Sequence, residues 1–423
     1  MSSLHSILLS QFLIINSILA IAINQSDNKR NILFKTPELV RKQGYQLEVH
    51  NVVTEDGYIL EIHRLPCGRN NCRWNAKQPI LILHGLAGSS ADWILMGPDR
   101  SLGYILANAG YDVWLGNNRG NVYSRNHTSI LPTDRHFWNF RYKTTSLYSF
   151  TSYLLFFSSH FSYHELGIYD LPAMIDYILD RTNNEQLFYI GHSQGSTQFW
   201  VTMTQRPSYN AKVKLMIALA PVAFTGNIRG PVTKLAKFTY MGVWIGETFG
   251  YPELRSRYPW EKFVSNVLCR DATAQLFCNN LLFLVTGFDQ ASLSAANVST
   301  IISHIPAGAS WKQLIHYGQG YIHPDLFRQF DYDNSKKNDQ FYNSPEPPGY
   351  ELNKVTAPVA LFSSENDLLS TKMDIDLLKS KIGNVVYHNE VSIKSFSHYD
   401  FLWGTSSIQI IYEPILKLLT LYK

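Results

Sequence analysis

Residues Gln186 to Ser196 read Gln-Leu-Phe-Tyr-Ile-Gly-His-Ser-Gln-Gly-Ser, and no other stretch limits the possible fold so tightly. Leu187 to Ile190 is an uninterrupted apolar run of strand length, which suits a strand covered on both faces. It runs into Gly191-His192-Ser193-Gln194-Gly195, the pattern G-x-S-x-G. From Thr197 to Gln205 the composition is compatible with a helix. Strand, glycine-flanked serine and helix in that order predict a strained turn. It would lift the Ser193 hydroxyl from the end of a sheet, beside a helix N-terminus. The glycines are needed because neighbouring backbone passes too close for a Cβ.

The rest of the chain supplies such a sheet. Thr54-Glu-Asp-Gly57 signals a turn between Leu47–Val53 and a strand reaching His63, a hairpin. An apolar strand from Pro79 to His84 runs into Gly85-Leu86-Ala87-Gly88. A helix is expected over 102–109, a strand over 111–115, the loop Gly116-Asn-Asn-Arg-Gly-Asn121, a helix over 171–179 and a strand over 212–219. This alternation predicts an α/β fold, a mostly parallel sheet with helices on both faces and right-handed crossovers. From Val222 to Asn343 strand signals thin out and aromatic residues accumulate (Phe238, Tyr240, Trp244, Phe249, Tyr251, Trp260, Phe263). A largely helical cap over 222–343 is therefore expected between two parts of one core, 23–221 and 344–423. Its aromatic residues would line a ligand site and meet an apolar surface, or form the cap's own core. Strand patterns resume over 357–362 and 385–391.

Composition narrows the setting. Hydrophobic residues make up 45% and charged residues 17%, a globular balance. The formal charge of +4 has no Lys/Arg block behind it, so no nucleic-acid partner is expected. Residues 1–22 read as a secretory signal peptide: Ile7 to Ile21 is largely apolar, and Ala20-Ile21-Ala22 is a small-x-small cleavage site. Polar residues Ser10, Gln11, Asn16 and Ser17 interrupt the run too often for a bilayer span, and no later segment reads as transmembrane. Export agrees with three glycosylation acceptors, Asn24, Asn126 and Asn297. It also agrees with two local cysteine pairs, Cys67/Cys72 and Cys269/Cys278, read as loop-closing disulfides. No metal motif appears. His160 and His164, four residues apart without a third ligand, read as surface histidines.

A serine hydroxyl is a weak nucleophile near neutral pH and needs a base, which a carboxylate must orient. After an elbow of this kind the partners follow in the order acid, then histidine. The strand Val359 to Phe362 ends in Ser363-Ser-Glu-Asn-Asp367, which puts Asp367 just past its carboxyl end, with Glu365 as the competing carboxylate. Asp374 and Asp376 fall later, on a helix. His398 lies in the loop before the last helix, where the base belongs, whereas His388 sits inside a strand and reads as structural. Two backbone donors should face the developing oxyanion: the N–H of Gln194, after the nucleophile, and that of Leu86, after the early strand.

His84-Gly-Leu-Ala-Gly-Ser-Ser-Ala-Asp-Trp93, Asp112-Val-Trp-Leu-Gly-Asn-Asn-Arg-Gly-Asn121, Tyr169-Asp-Leu-Pro-Ala173 and Gly191-His-Ser-Gln-Gly195 resemble the acid lipase family. Thr54-Glu-Asp-Gly-Tyr58 and His398-Tyr-Asp-Phe401 match it as well, so the resemblance runs from about Pro37 to the C-terminus. It implies an α/β-hydrolase with a cap and lid, acting at low pH on triacylglycerols or cholesteryl esters at a lipid–water interface. No cofactor or metal is implied, and the setting is secreted or lysosomal. It also implies a Ser193–Asp367–His398 triad, Leu86 and Gln194 as the oxyanion pair, and a Cys269–Cys278 cap disulfide. The rival readings are a carboxylesterase for soluble esters and a non-catalytic lipid-binding relative. Arg141 to Phe161, serine- and aromatic-rich without an acidic residue, has no counterpart in that family and reads as a retained intron.

Overall fold

The computed structural model describes residues 35–69, 72, 77–133, 135–138, 161–249, 253–254, 300–301 and 303–423. Residues 1–22, Asn24, His160, Cys269, Cys278, Asn297 and residues 141–160 lie outside that set. Between α1 (Thr36–Lys42) and the C-terminal helix, the described residues form one nine-stranded sheet. Strands β1 (Glu48–Val53) and β2 (Tyr58–Leu65) form the expected hairpin. The remaining strands are β3 (Pro79–Leu83), β4 (Asp112–Leu115), β5 (Asn126–His127), β6 (Leu187–His192), β7 (Val213–Leu219), β10 (Val359–Ser364) and β11 (Val385–Val391). Their order is β1-β2-β4-β3-β6-β7-β10-β11, with β5 on β2; every pair from β4 to β11 is parallel. A two-residue pair, β8 (Glu253–Leu254) and β9 (Ala309–Ser310), stands apart.

The central strands read as continuous apolar runs because both faces are covered. In β3, Leu81 and Leu83 join one core cluster while Ile80 and Ile82 join the other. Tyr189 and Phe188 divide the same way in β6, as do Leu361 and Phe362 in β10. The first face carries α3 (Leu171–Thr182) and α4 (Gln194–Gln205), which contribute Met174, Ile178, Phe199 and Trp200. The second carries α2 (Leu102–Asn108) and the C-terminal α9 (Glu413–Leu421), through Leu102, Leu106, Ile415 and Leu419.

Between β7 and β10 most of the regular secondary structure among the described residues is helical. It includes α5 (Thr239–Phe249), α6 (Trp311–Ile322) and α7 (Ser335–Tyr342); α8 (Lys372–Lys381) follows β10. Tyr240 of α5 packs against a small separate core of Val243, Phe330 and Tyr332, whereas Trp244 of α5 and Phe238 just before it are exposed, as are Met241 and Ile245. Tyr251, Trp260 and Phe263 lie outside the described residues.

Three sequence expectations need comment. His164 is not on the surface: it is buried, with Nδ1 2.9 Å from the Tyr350 hydroxyl. Cys67 and Cys72 form a disulfide, with Cα atoms 5.0 Å apart. Phe161, the last residue of the extra segment, is fully buried against Tyr58 and Trp138, and its N–H donates to the Trp138 carbonyl at 3.2 Å. Trp138 and Phe161, the described residues on either side of 139–160, therefore adjoin.

Asp92 lies in the short turn after β3. Its carboxyl accepts from the Ser89 N–H at 3.3 Å, and burial pushes it up to about 7. Because that value lies above the unfolded one of about 3.9, the folded chain keeps a proton there that the unfolded chain releases. The stabilisation is complete below about pH 4 and is lost as pH rises through about 7. Thermal melts of the wild type and Asp92→Asn between pH 4 and 7 should diverge. The asparagine, which keeps the acceptor, should lose a pH dependence on the order of 3 kcal/mol. Parallel curves would mean the carboxyl is not buried neutral.

Candidate active site

Ser193 occupies a left-handed turn, with φ 50° and ψ −118°, a conformation costing about 1–3 kcal/mol outside glycine. Surrounding backbone holds it there: its N–H donates to Leu219 (3.0 Å) and its carbonyl accepts from the Ser196 N–H (2.8 Å). The need for both glycines is measurable. A Cβ on Gly191 would lie 2.6 Å from the Gly195 carbonyl carbon, and one on Gly195 would lie 2.4 Å from the Leu83 oxygen. Ser193 itself is half-buried, while every residue from Gln194 to Val201 is buried. Helix α4 begins at Gln194, three residues before the start expected from composition. Gly195 and Ser196 are poor helix formers, yet the elbow carries them into the first turn. The Gln194 amide thus belongs to a helix terminus, where no preceding carbonyl is available to it.

His84 organises the loop after β3. Its Nδ1 lies 2.8 Å from the Gly85 carbonyl, which can only accept, so that nitrogen carries the hydrogen. Its Nε2 then accepts from the Asn118 N–H at 3.2 Å. Burial pushes the ring down to about 4, which keeps it neutral. A Cβ built on Gly85 would stand 3.2 Å from the Ser193 Cβ, so the backbone leading into Leu86 runs alongside the serine.

Asp367 and His398 come together. The His398 Nδ1 lies 2.7 Å from one Asp367 carboxylate oxygen, and the other oxygen accepts from the Leu369 and Ser370 N–H groups, each at 2.8 Å. Burial alone would raise this carboxyl. The His398 ring and the donated hydrogen bonds outweigh it and hold Asp367 below the ordinary carboxylate range. Glu365 is exposed, and its carbonyl accepts from Arg229. Asp374 caps α8 with Thr371 and receives Asn227. His388 contacts the Ser363 hydroxyl at 2.8 Å and Lys379 at 3.0 Å, away from these groups.

Two residues that pattern alone did not single out join the parts. His192, one position before the serine, is buried, and its Nε2–H donates to the His398 carbonyl at 2.9 Å. Burial first, and then the neighbouring His398, push its ring down to about 3, so it stays a neutral donor. The backbone of His398 is thereby tied to the residue beside Ser193. Arg229, beyond β7, donates to the Glu365 and Asp367 carbonyls at 2.9 and 3.2 Å and steadies the loop that carries Asp367. A groove of about 520 Å³ lined by Phe224, Leu326, Phe327 and Tyr350 is separate; none of Leu86, Ser193, Asp367 or His398 borders it. Among the described residues no cluster of three His, Cys, Asp or Glu side chains is placed to hold a metal.

Residues 36–97 match the profile of a partial alpha/beta-hydrolase lipase region, and residues 78–243 that of the alpha/beta hydrolase fold. Gastric triacylglycerol lipase of Bos taurus is 36% identical over 385 residues, covering 90% of each chain. The lysosomal acid lipase/cholesteryl ester hydrolase of Homo sapiens is 34% identical over 387 residues, 91% of this chain and 90% of that one. Lipase 3 of Drosophila melanogaster is 36% identical over 388 residues, 91% and 93% respectively. The chain belongs to the acid lipase family and is an ester hydrolase of the α/β-hydrolase fold.

Proposed function

We propose that the protein is a lipase that cleaves triacylglycerols, cholesteryl esters or both through an acyl-enzyme on Ser193. The observation that carries the reading is the Asp367–His398 bond, joined through the His398 carbonyl to the residue before the strained serine. Ser193 Oγ attacks the ester carbonyl carbon while His398 Nε2 takes its proton. Asp367 holds the Nδ1–H and with it the tautomer. The Leu86 and Gln194 N–H groups receive the oxyanion. Collapse expels the alcohol, which leaves with the proton from His398. Water then attacks the acyl carbon by the same proton path and releases the fatty acid, regenerating Ser193.

Lipid as substrate is favoured by the names of the relatives and by the outward Phe238, Met241, Trp244 and Ile245 of the segment we take to be the cap, 222–343. Residues 1–22 would direct the chain into the secretory pathway, to a secreted or lysosomal fate. No helix among the described residues is long and apolar enough to cross a membrane. Asn126, exposed on β5, would carry a glycan. Residues 141–161 would be absent from a spliced form, in which Phe140 precedes Ser162. Sequencing messages across Phe140–Ser162 should find one lacking the segment; its presence in every message would refute the intron reading.

Three substitutions test the chemistry in assays on emulsified long-chain triacylglycerol and on a dissolved short-chain ester. Ser193→Ala should lower kcat by about 10⁶-fold. Asp367→Asn, which leaves the geometry but not the charge, should lower it by about 10⁴-fold. His192→Phe fills the same space without the donor, and should cost about 10²-fold in kcat with little change in KM, as expected when a base drifts by about 1 Å. Full activity in Ser193→Ala defeats the acyl-enzyme. Turnover of only the dissolved ester by the wild type makes the protein a carboxylesterase, and turnover of neither makes it a lipid-binding relative.

A further inference from the structure

The loop that carries Leu86 is held from a second side, by residues far along the chain. Gly85 to Gly88 is a tight turn closed by the Gly88 N–H donating to the Gly85 carbonyl at 3.1 Å. Its third residue, Ala87, sits at φ 56°, in the left-handed region that an L-alanine rarely adopts. The Ala87 carbonyl accepts from the Ala307 N–H at 2.7 Å, and the Ala307 carbonyl accepts from the Val122 N–H at 2.8 Å. Gly308, at φ 120°, brings this segment against the loop after β4 so closely that a Cβ there would lie 2.6 Å from the Gly120 oxygen. That same loop supports the turn from below, through the Asn118 N–H on His84.

From this geometry we infer that Ala307 is a positioning residue of the oxyanion hole. Its backbone splints the strained Ala87 turn to the loop at Val122, and so fixes the direction of the Leu86 N–H toward the carbonyl oxygen of the substrate. The inference rests on the reading of Leu86 as an oxyanion donor. A turn that is strained by itself needs an outside partner to persist, and here the partner lies between β7 and β10, outside the two parts of the sheet. The cap then does more than cover the site: it completes the electrostatic part of the machinery.

The test uses the full chain and a dissolved short-chain ester, which leaves interfacial effects aside. Ala307→Pro deletes the N–H. Its kcat should fall by about 10- to 100-fold, somewhat less than the loss of an oxyanion donor outright, while KM stays within about threefold. The inhibition constant of a trifluoromethyl ketone, whose adduct with Ser193 bears the same oxyanion, should rise in parallel. Adding Ala87→Gly should restore most of kcat, because glycine takes the left-handed conformation without a splint. A merely structural role would give no such rescue. Should Ala307→Pro lose its cooperative melt, Gly308→Ala takes its place, since the added Cβ must push the segment off the Gly120 carbonyl; the same loss and the same rescue are expected. Unchanged kcat, or a loss that Ala87→Gly does not repair, overturns the inference. A wild type that is inert and takes no fluorophosphonate on Ser193 overturns the underlying reading and this one together, whereas an active wild type with neutral variants overturns this one alone.

Discussion

One buried cation holds the rim of the sheet together. Arg119 is about 1% exposed and lies between two equally buried carboxylates, pairing with Asp56 at 2.5 Å and Asp170 at 2.6 Å. The Tyr58 ring covers its guanidinium at 3.9 Å. Asp56 comes from the β1–β2 turn and Asp170 from the entry to α3, so three distant parts of the chain share one charge centre. Such a triad adds little net stability over apolar side chains of the same volume, but removing its cation costs about 3–5 kcal/mol. Two carboxylates and one guanidinium leave a buried surplus of negative charge. Burial accordingly pushes Asp170 up to about 6, with Arg119 opposing the rise. What the triad secures is the path of the loop after β4. That loop places the Asn118 N–H and the Asn121 amide on His84, and the Asn117 oxygen on the Ser90 N–H. The turn bearing Leu86 lies between those two anchor points.

Carboxylates in this protein take opposite characters according to what surrounds them. Asp367 and Asp92 are both buried, yet one is held below the ordinary range and the other is pushed up to about 7. Asp367 receives three hydrogen bonds, one from an imidazole. Asp92 has the Ser89 N–H on one oxygen, and the other has no partner among the described residues. Desolvation is common to both; the donors decide the sign. A charged Asp367 suits a group that must hold an imidazole ring, and a neutral Asp92 suits one that only caps a turn.

The parts legible in the sequence are those set by short-range rules. Apolar runs over 187–190 and 359–362 mark two-sided burial, and the elbow is marked by glycines because a Cβ at either would strike backbone. Position relative to strand ends placed Asp367 and His398 on adjoining loops. It left Glu365 as a rival; burial and the hydrogen bond to His398 separate Asp367 from it. Residues whose role is assigned by a partner hundreds of positions away were illegible. His164 looked like a surface histidine because its partner, Tyr350, lies 186 residues on. His192 occupies the variable position of its motif, and the carbonyl it binds lies 206 residues on. The start of α4 was misplaced because helix propensity counts Gly195 and Ser196 against a helix, whereas contacts with Leu83 and Ser193 force them into one.

The described residues between β7 and β10 are tied to the sheet and its loops at several separate places. Arg229 binds the carbonyls of Glu365 and Asp367, Asn227 binds Asp374 at the start of α8, and Ala307 binds the turn beside Ser193. Tyr317 of α6 adds a fourth tie, donating at 2.9 Å to Thr197 in the helix that follows Ser193. Moving these described residues away from the sheet would break all of these mostly part-buried bonds, at a net cost of about 0.5–1.5 kcal/mol for each. These bonds hold the loops of the candidate site, while Met241, Trp244 and Ile245 of α5 are exposed, placed to meet an apolar surface.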